Sequence, residues 1–339
     1  MKIALDAMGG DFGPAVTVEG AVETLSEDED SEIILVGDEE ILKKELATKR
    51  YPFSRLHIRH ASQVVSMDEP ALTAVRRKKD SSIRRAIELV KNGEADAAVS
   101  AGHSGVAMAV SVFVLGVSEN VDRPAIATIM PTLKRPFILI DAGANVDCTP
   151  RNLLQFAIMG NAYCRTMFGI SSPTIALLSI GEEDTKGNIL TREAFKLIKS
   201  TNLNFIGNIE GKDIFSGNAD VVVCDGFIGN VVLKTSEGLA DVIIKMLRRE
   251  ISEVTTGRIG YLLLKPALRN FKKKTDYAEY GGAPLLGING TCIISHGRSS
   301  SKAIKNAIKV AGEFAKKKVY EVIAGDVTNF IAGGEGAKS

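Results

Sequence analysis

Short runs of β-branched and apolar residues alternate with helix-period segments along nearly the whole chain, and this alternation restricts the fold more than any other feature. The runs at 2–7, 32–37, 55–60, 95–100, 125–130, 136–141, 174–180, 204–208, 219–224 and 291–295 read as strands. Most are apolar on both alternating faces, as strands covered by helices on both sides must be. An α/β fold with a largely parallel sheet is predicted, either as one wide sheet or as two linked lobes. The helices between carry readable punctuation. Asp80, Ser81 and Ser82 can cap a helix reaching Asn92, in which Ile83, Ala86, Ile87 and Val90 recur at i, i+3, i+4 and i+7, and Gly93 stops it. Pro150 opens another over 151–168.

No Pro- or Ser-rich linker divides the 339 residues, so 1–332 reads as a single large catalytic unit of one or two lobes, with GGEGAKS (333–339) as a disordered tail. The net charge of +1 gives no global reason to expect nucleic acid as a partner. The four cysteines are widely spaced with no C-x-x-C pair, which signals neither a zinc site nor a disulfide framework. No basic segment precedes an apolar one at the N-terminus, and no apolar stretch reaches about 18 residues, so the expected location is cytoplasmic.

Six apolar strands end in small residues and then enter a helix: DAMGGDFG, VSAGHSG, IDAGAN, LSIGEEDTKGN, VCDGFIGN and SHGRSS. Ligands of open α/β sheets bind outside the carboxyl ends of strands, so these loops are expected to converge on one crevice. Glycine lets backbone N–H groups approach an oxyanion, and a helix N-terminus adds partial positive charge, which makes phosphate the natural guest. Familiar alternatives are missing. Gly181 to Gly187 lacks the spacing of a Walker loop, no G-x-G-x-x-G occurs, and Gly102-His103-Ser104-Gly105 is one residue short of G-x-S-x-G. His57 and His60 read as structural, whereas His103 and His296 lie in glycine-bearing loops.

In chain order, LDAMGGDFGP (5–14), DEPALTAVRRKKDSS (68–82), VSAGHSG (99–105), RPA (123–125), DAGANVDC (141–148), QFAIMG (155–160), SIGEEDTKGN (179–188), CDGFIGNVVLKTSEG (224–238), YGGAPLLG (280–287) and SHG (295–297) resemble the PlsX family. These are the acyl-[acyl-carrier-protein]:phosphate acyltransferases of bacterial phospholipid synthesis. The resemblance implies a reversible transfer of a long-chain acyl group from acyl carrier protein to inorganic phosphate, giving acyl phosphate for a membrane glycerol-3-phosphate acyltransferase. It also implies a three-layer α/β/α fold, similar to isocitrate and isopropylmalate dehydrogenases and to phosphotransacetylases, with a projecting helical hairpin. A homodimer in peripheral contact with the membrane and no cofactor or metal complete the expectation. One departure stands out: the family usually reads S-A-G-N-T-G where this chain has Ser100-Ala101-Gly102-His103-Ser104-Gly105, which brings in a group that titrates near neutral pH.

The residues suit this reaction. A thioester releases a thiol of pKa about 8.5 and needs little protonation, so the site must chiefly place phosphate and supply oxyanion donors. Gly9, Gly10, Ser100, Gly102, His103, Ser104, Gly105 and His296 are the candidates for phosphate and substrate binding, with Asn145, Lys186, Asn188 and Asn230 for phosphate and oxyanion contacts. Asp225, with Asp6, Asp11 and Asp141, would orient donors or accept a proton, or else cap the following helices. A short-chain phosphotransacetylase, a β-decarboxylating dehydrogenase and a noncatalytic membrane scaffold remain open as rival readings.

Two basic segments have further uses. Arg76, Arg77, Lys78 and Lys79 form a docking candidate for an acidic carrier protein. A long helical pattern over 229–254 leads to a segment free of acidic residues, so 229–275 is expected to form a hairpin whose stem pairs subunits. Ile259, Tyr261, Leu262, Leu263, Leu264 and Lys265 at its tip would touch anionic membrane.

Overall fold

The computed structural model describes residues 1–253, 260, 263–266 and 280–335. One sheet of eleven strands carries the chain: β1 (Lys2–Asp6), β2 (Glu32–Gly37), β3 (Leu56–His60), β4 (Ala97–Ser100), β5 (Ala125–Met130), β6 (Phe137–Ile140), β7 (Ile175–Ser179), β8 (Phe205–Glu210), β9 (Val221–Val223), β10 (Ala283–Leu286) and β11 (Cys292–Ile294). Ten of these fall within two residues of the runs read from sequence. The eleventh, β10, was not read as a strand, because Pro284 interrupts a run of four and proline argues against a strand interior. It forms an antiparallel hairpin with β11, with Pro284 opposite Ile293.

The strand order is β3-β2-β1-β4-β11-β10-β5-β6-β9-β7-β8. β3, β2, β1, β4 and β11 run parallel to one another, as do β6, β9, β7 and β8. Between these wings the pairs β11–β10, β10–β5 and β5–β6 are antiparallel, so the wings run in opposite directions. Their carboxyl ends therefore point to opposite edges of the sheet, and the six loops do not share one edge.

The two-residue period of the strands builds two buried faces. Ile3 and Leu5, Ala97 and Val99, Ala125 and Ala127, and Ile138 and Ile140 point to one face. There they meet helices α1 (Gly13–Glu27), α2 (Glu39–Leu46), α6 (Pro150–Phe168), α7 (Ile189–Lys199), α9 (Ser301–Lys316) and α10 (Val319–Glu335). Ala98, Ile126 and Ile294 point to the other face, beneath α4 (Ser82–Lys91) and α5 (Ser104–Leu115), while Leu139 and Val222 lie nearer α8 (Gly226–Glu253). This is the expected three-layer α/β/α arrangement, with a sheet parallel within each wing. The second face carries fewer helices, and a cavity opens in the gap between α5 and α8.

Two helices differ from expectation. Residues 71–77 form a short helix, α3 (Ala71–Arg77), so Arg76 and Arg77 end a helix as well as preceding one. Helix α10 continues through Gly333 and Gly334 to Glu335; residues 336–339 lie outside the described residues.

Candidate active site

Three loops at the carboxyl edge of the first wing interlock. Ser100 donates its hydroxyl proton to Asp6 Oδ2 at 2.7 Å and accepts the Gly102 N–H at 3.0 Å. A Cβ on Gly9 would stand 2.7 Å from Asp6 Oδ2 and 2.8 Å from the Gly102 nitrogen, so only glycine lets these loops close. Gly10, at φ 94°, packs against the Gly297 carbonyl, which accepts the Asp11 N–H at 2.8 Å. Asp6, Gly9, Gly10 and Ser100 thus hold loop to loop and do not line the main cavity; Asp6, Gly9 and Ser100 border a smaller recess with Gly102 and His103. Burial raises the Asp6 carboxyl above the ordinary carboxylate range, against the pull of hydrogen bonds from Ser82 and Ser100.

His103 caps α5: its Nδ1 accepts the Val106 N–H at 3.3 Å, the capping task an asparagine oxygen would also perform. Gly105 lies against its ring, since a Cβ there would be 3.1 Å from His103 Cε1. Gly102 and Ser104, by contrast, open directly onto the cavity, at a helix end whose first N–H groups have no intrahelical acceptor.

In the second wing, Asp141 is fully buried and accepts five N–H bonds, from the amides of Ile126, Gly143, Ala144 and Asn145 and from Asn145 Nδ2, at 2.7–3.1 Å. Asn145 spends its other amide hydrogen on the Pro124 carbonyl at 2.7 Å, and Asp225 accepts the Ile228 N–H at 2.9 Å to start α8. These three residues shape the loops. The first turn of α8 packs flat on this loop, because a Cβ at Gly229 would fall 1.8 Å from the Asp141 carbonyl oxygen.

Between the wings lies a cavity of about 390 Å³, floored by β5 and β10. Its polar end presents Asp11, Ser104, Asn230, Lys234, Glu237 and His296. Its apolar part presents Met67, Ile126, Ile129, Leu233, Ala283 and Ile294. Of the residues chosen from sequence, Asp11, Gly102, Ser104, Asn230 and His296 meet here. Lys186 and Asn188 do not line it: Lys186 is exposed on the loop after β7, and Asn188 caps α7 by accepting the Thr191 N–H at 2.9 Å. β7 lies three strands from β5, about 14 Å away at the usual strand spacing.

Lys234 and Glu237 were missed. With Asn230 and Leu233 they occupy i, i+3, i+4 and i+7 of one face of α8, a spacing that marks a shared face in the sequence. Lys234 Nζ lies 3.3 Å from His296 Nε2 and 2.9 Å from Glu237 Oε2. Burial, with the charge of Lys234, pushes the His296 imidazole below its usual range, which favours the neutral ring. Its Nδ1 accepts the Arg298 N–H at 3.1 Å, and its Nε2 faces the Lys234 ammonium. An imidazole and an ammonium group therefore border the same space, and the ammonium suits it to an anion.

The thiols offer no nucleophile. Burial pushes Cys148 and Cys292 up to about 11 and Cys164 to about 12. Among the described residues, no three His, Cys, Asp or Glu side chains cluster as a metal centre would require.

The fold is of the α/β type that phosphotransacetylases and dehydrogenases share. A phosphotransacetylase from Streptococcus pyogenes superposes with a TM-score of 0.63 at 19% identity, covering 94% of each chain. A 4-hydroxythreonine-4-phosphate dehydrogenase from Klebsiella pneumoniae gives 0.50 at 16% identity, over 93% of this chain and 99% of that one. At these identities the likeness concerns fold alone. Sequence goes further: the family model described as "Fatty acid synthesis protein" matches residues 1–322, and a phosphate acyltransferase of Thermodesulfovibrio yellowstonii is 61% identical over 324 residues, 96% of this chain and 93% of that one. The chain belongs to this family, the PlsX-type phosphate acyltransferases, and is an acyltransferase of fatty acid and phospholipid synthesis. A purely noncatalytic scaffold is thereby set aside.

Proposed function

We propose that the cavity between α5 and α8 transfers a long-chain acyl group from acyl carrier protein to inorganic phosphate, releasing acyl phosphate and the free carrier thiol. The observation that carries this reading is the convergence of Lys234 Nζ and His296 Nε2, 3.3 Å apart, beside Asn230 and the first turn of α5. Phosphate held there has an oxygen free to attack the thioester carbon. The C–O bond forms, negative charge collects on the carbonyl oxygen, and the C–S bond then breaks. The departing thiolate needs no strong acid and takes its proton from phosphate or solvent. Asn230 and the α5 amides are the donors at hand for the oxyanion, a contribution of about 3 kcal/mol for one well-placed donor. The direct test is to incubate the protein with palmitoyl carrier protein and phosphate, following thiol release and acyl phosphate together. Turnover only with acetyl-CoA, or only with a nicotinamide cofactor, would overturn the reading.

The basic run fits carrier docking with one change. Lys78 is occupied by Glu69 at 2.5 Å and by the Val64 carbonyl at 2.6 Å, whereas Arg76, Arg77 and Lys79 are exposed and form no ion pair with any described residue. Met67, in the segment leading to them, lines the cavity. Reversing Arg76, Arg77 and Lys79 to glutamate should raise KM for the acyl carrier about tenfold at low salt, leave kcat unchanged, and lose most of its effect in 0.5 M salt. An equal effect at both salt concentrations would place docking elsewhere.

Assembly and membrane contact belong to the same proposal. Beyond the cavity, α8 exposes Leu239, Val242, Ile243, Met246 and Leu247, an apolar stripe suited to a second copy. Leu263 and Leu264 are exposed and Lys265 stands beside them, as a reversible lipid contact near a membrane glycerol-3-phosphate acyltransferase requires. Ile259, Tyr261 and Leu262 lie outside the described residues. No described helix is long and apolar enough to cross a membrane.

A further inference from the structure

The cavity floor holds a detail that the transfer reaction alone does not explain. The pairing of Ala283 with Ile294, together with the β10–β5 register that sets Leu285 opposite Ile126, places Ile294, Ala283 and Thr128 in one row across β11, β10 and β5. All three line the cavity. The smallest side chain of the row is in the middle, so the floor is deepest at Ala283, flanked by a larger residue on each side. The next row along the same face, Cys292, Leu285 and Ile126, is buried and apolar. Leu233 of α8 faces this floor one helical turn from Asn230 and next to Lys234. The depression is therefore apolar but for the Thr128 hydroxyl on one flank, and is roofed by a leucine.

We infer that this depression holds the part of the acyl chain beyond its first few carbons, and that the small side chain of Ala283 is what admits a long chain. The inference rests on the transfer reading above and assigns the two ends of the cavity: phosphate at Lys234 and His296, the chain over Ala283 between Ile294 and Thr128. A hydrocarbon chain suits these walls because they contain no buried group that needs a polar partner, and each methylene removed from water adds to binding. A larger residue at 283 fills the depression from the floor upward. It leaves Lys234, His296 and Asn230 in place.

The test compares Ala283→Phe and Ala283→Leu with the wild-type full chain, using hexanoyl and palmitoyl carrier protein and a range of phosphate concentrations. Circular dichroism and thermal melting check the fold of each variant. With about fourfold per displaced methylene, Ala283→Phe should lower kcat/KM for palmitoyl carrier some 50-fold, with hexanoyl carrier changed less than threefold and KM for phosphate unchanged. Ala283→Leu should lie between. A loss equal for both chain lengths in folded variants, or no loss, overturns the inference. A second readout stands apart from turnover: a fluorescent long-chain fatty acid should bind the wild type and be displaced by palmitate, and should bind Ala283→Phe at least tenfold more weakly. Absence of acyl phosphate from the wild type with either carrier would defeat the transfer reading itself. The fatty-acid experiment would still decide whether an acyl chain occupies the depression, and equal binding to wild type and variant would reject it.

Discussion

Replacing Lys234 with methionine should lower kcat/KM for phosphate by about two to three orders of magnitude, with KM for the acyl carrier changed less than threefold. Methionine keeps much of the side-chain length and removes only the charge and its donors. The contact with Glu237 does not compete strongly, because a half-exposed pair three residues apart on a helix contributes little. The ammonium is thus available to an anion at small cost, and its loss leaves the His296 imidazole without its charged neighbour. Arginine at 234 should recover only part of the activity, since its planar fork cannot reproduce a point charge 3.3 Å from an imidazole. Steady-state kinetics with each substrate varied in turn checks this. A change below fivefold in kcat/KM for phosphate would remove Lys234 from the site.

The second large effect concerns stability. Asp141 satisfies five N–H groups from a fully buried position, so Asp141→Ala strands several buried donors, each at about 1–3 kcal/mol where water does not enter. A loss of at least about 4 kcal/mol, or roughly 5 °C in Tm for a chain of this size, is expected. Asp141→Asn should fare little better, because one of its two acceptors becomes a donor facing donors. Were Asp141 a chemical base instead, the asparagine variant would fold and melt normally and be inactive. Thermal melts of both variants, read beside their activity, separate the two roles.

These two residues show what was legible in the sequence. Alternation of apolar residues located ten strands, since a strand buried on both faces leaves a short unbroken run such as Ile138 to Ile140. Strand β10 escaped because Pro284 breaks that signal and its pairing is set by partners on β5 and β11, distant in sequence. Glycine-rich turns located loops that line the cavity, yet a local motif does not distinguish an aspartate that holds its own loop, such as Asp6 or Asp141, from one that faces the cavity, such as Asp11. That depends on which way the side chain turns once neighbouring loops pack. Strand order sets β7 three strands from β5 and so carries the loop of Lys186 and Asn188 away from the cavity, which no single segment records. Lys234 was visible in principle. Its spacing from Asn230 puts both on one helix face, whereas the exposed apolar positions of α8 are the stronger signal in that segment.

The central claim is that phosphate binds between α5 and α8, and it is tested most directly by a crystal structure of the full chain grown with inorganic phosphate. The account predicts an ordered phosphate within hydrogen-bonding distance of Lys234 Nζ, His296 Nε2 and the first turn of α5, with Asn230 facing the position of the incoming carbonyl. Phosphate ordered instead against Lys186 and Asn188, with the cavity between α5 and α8 holding only water, would contradict it.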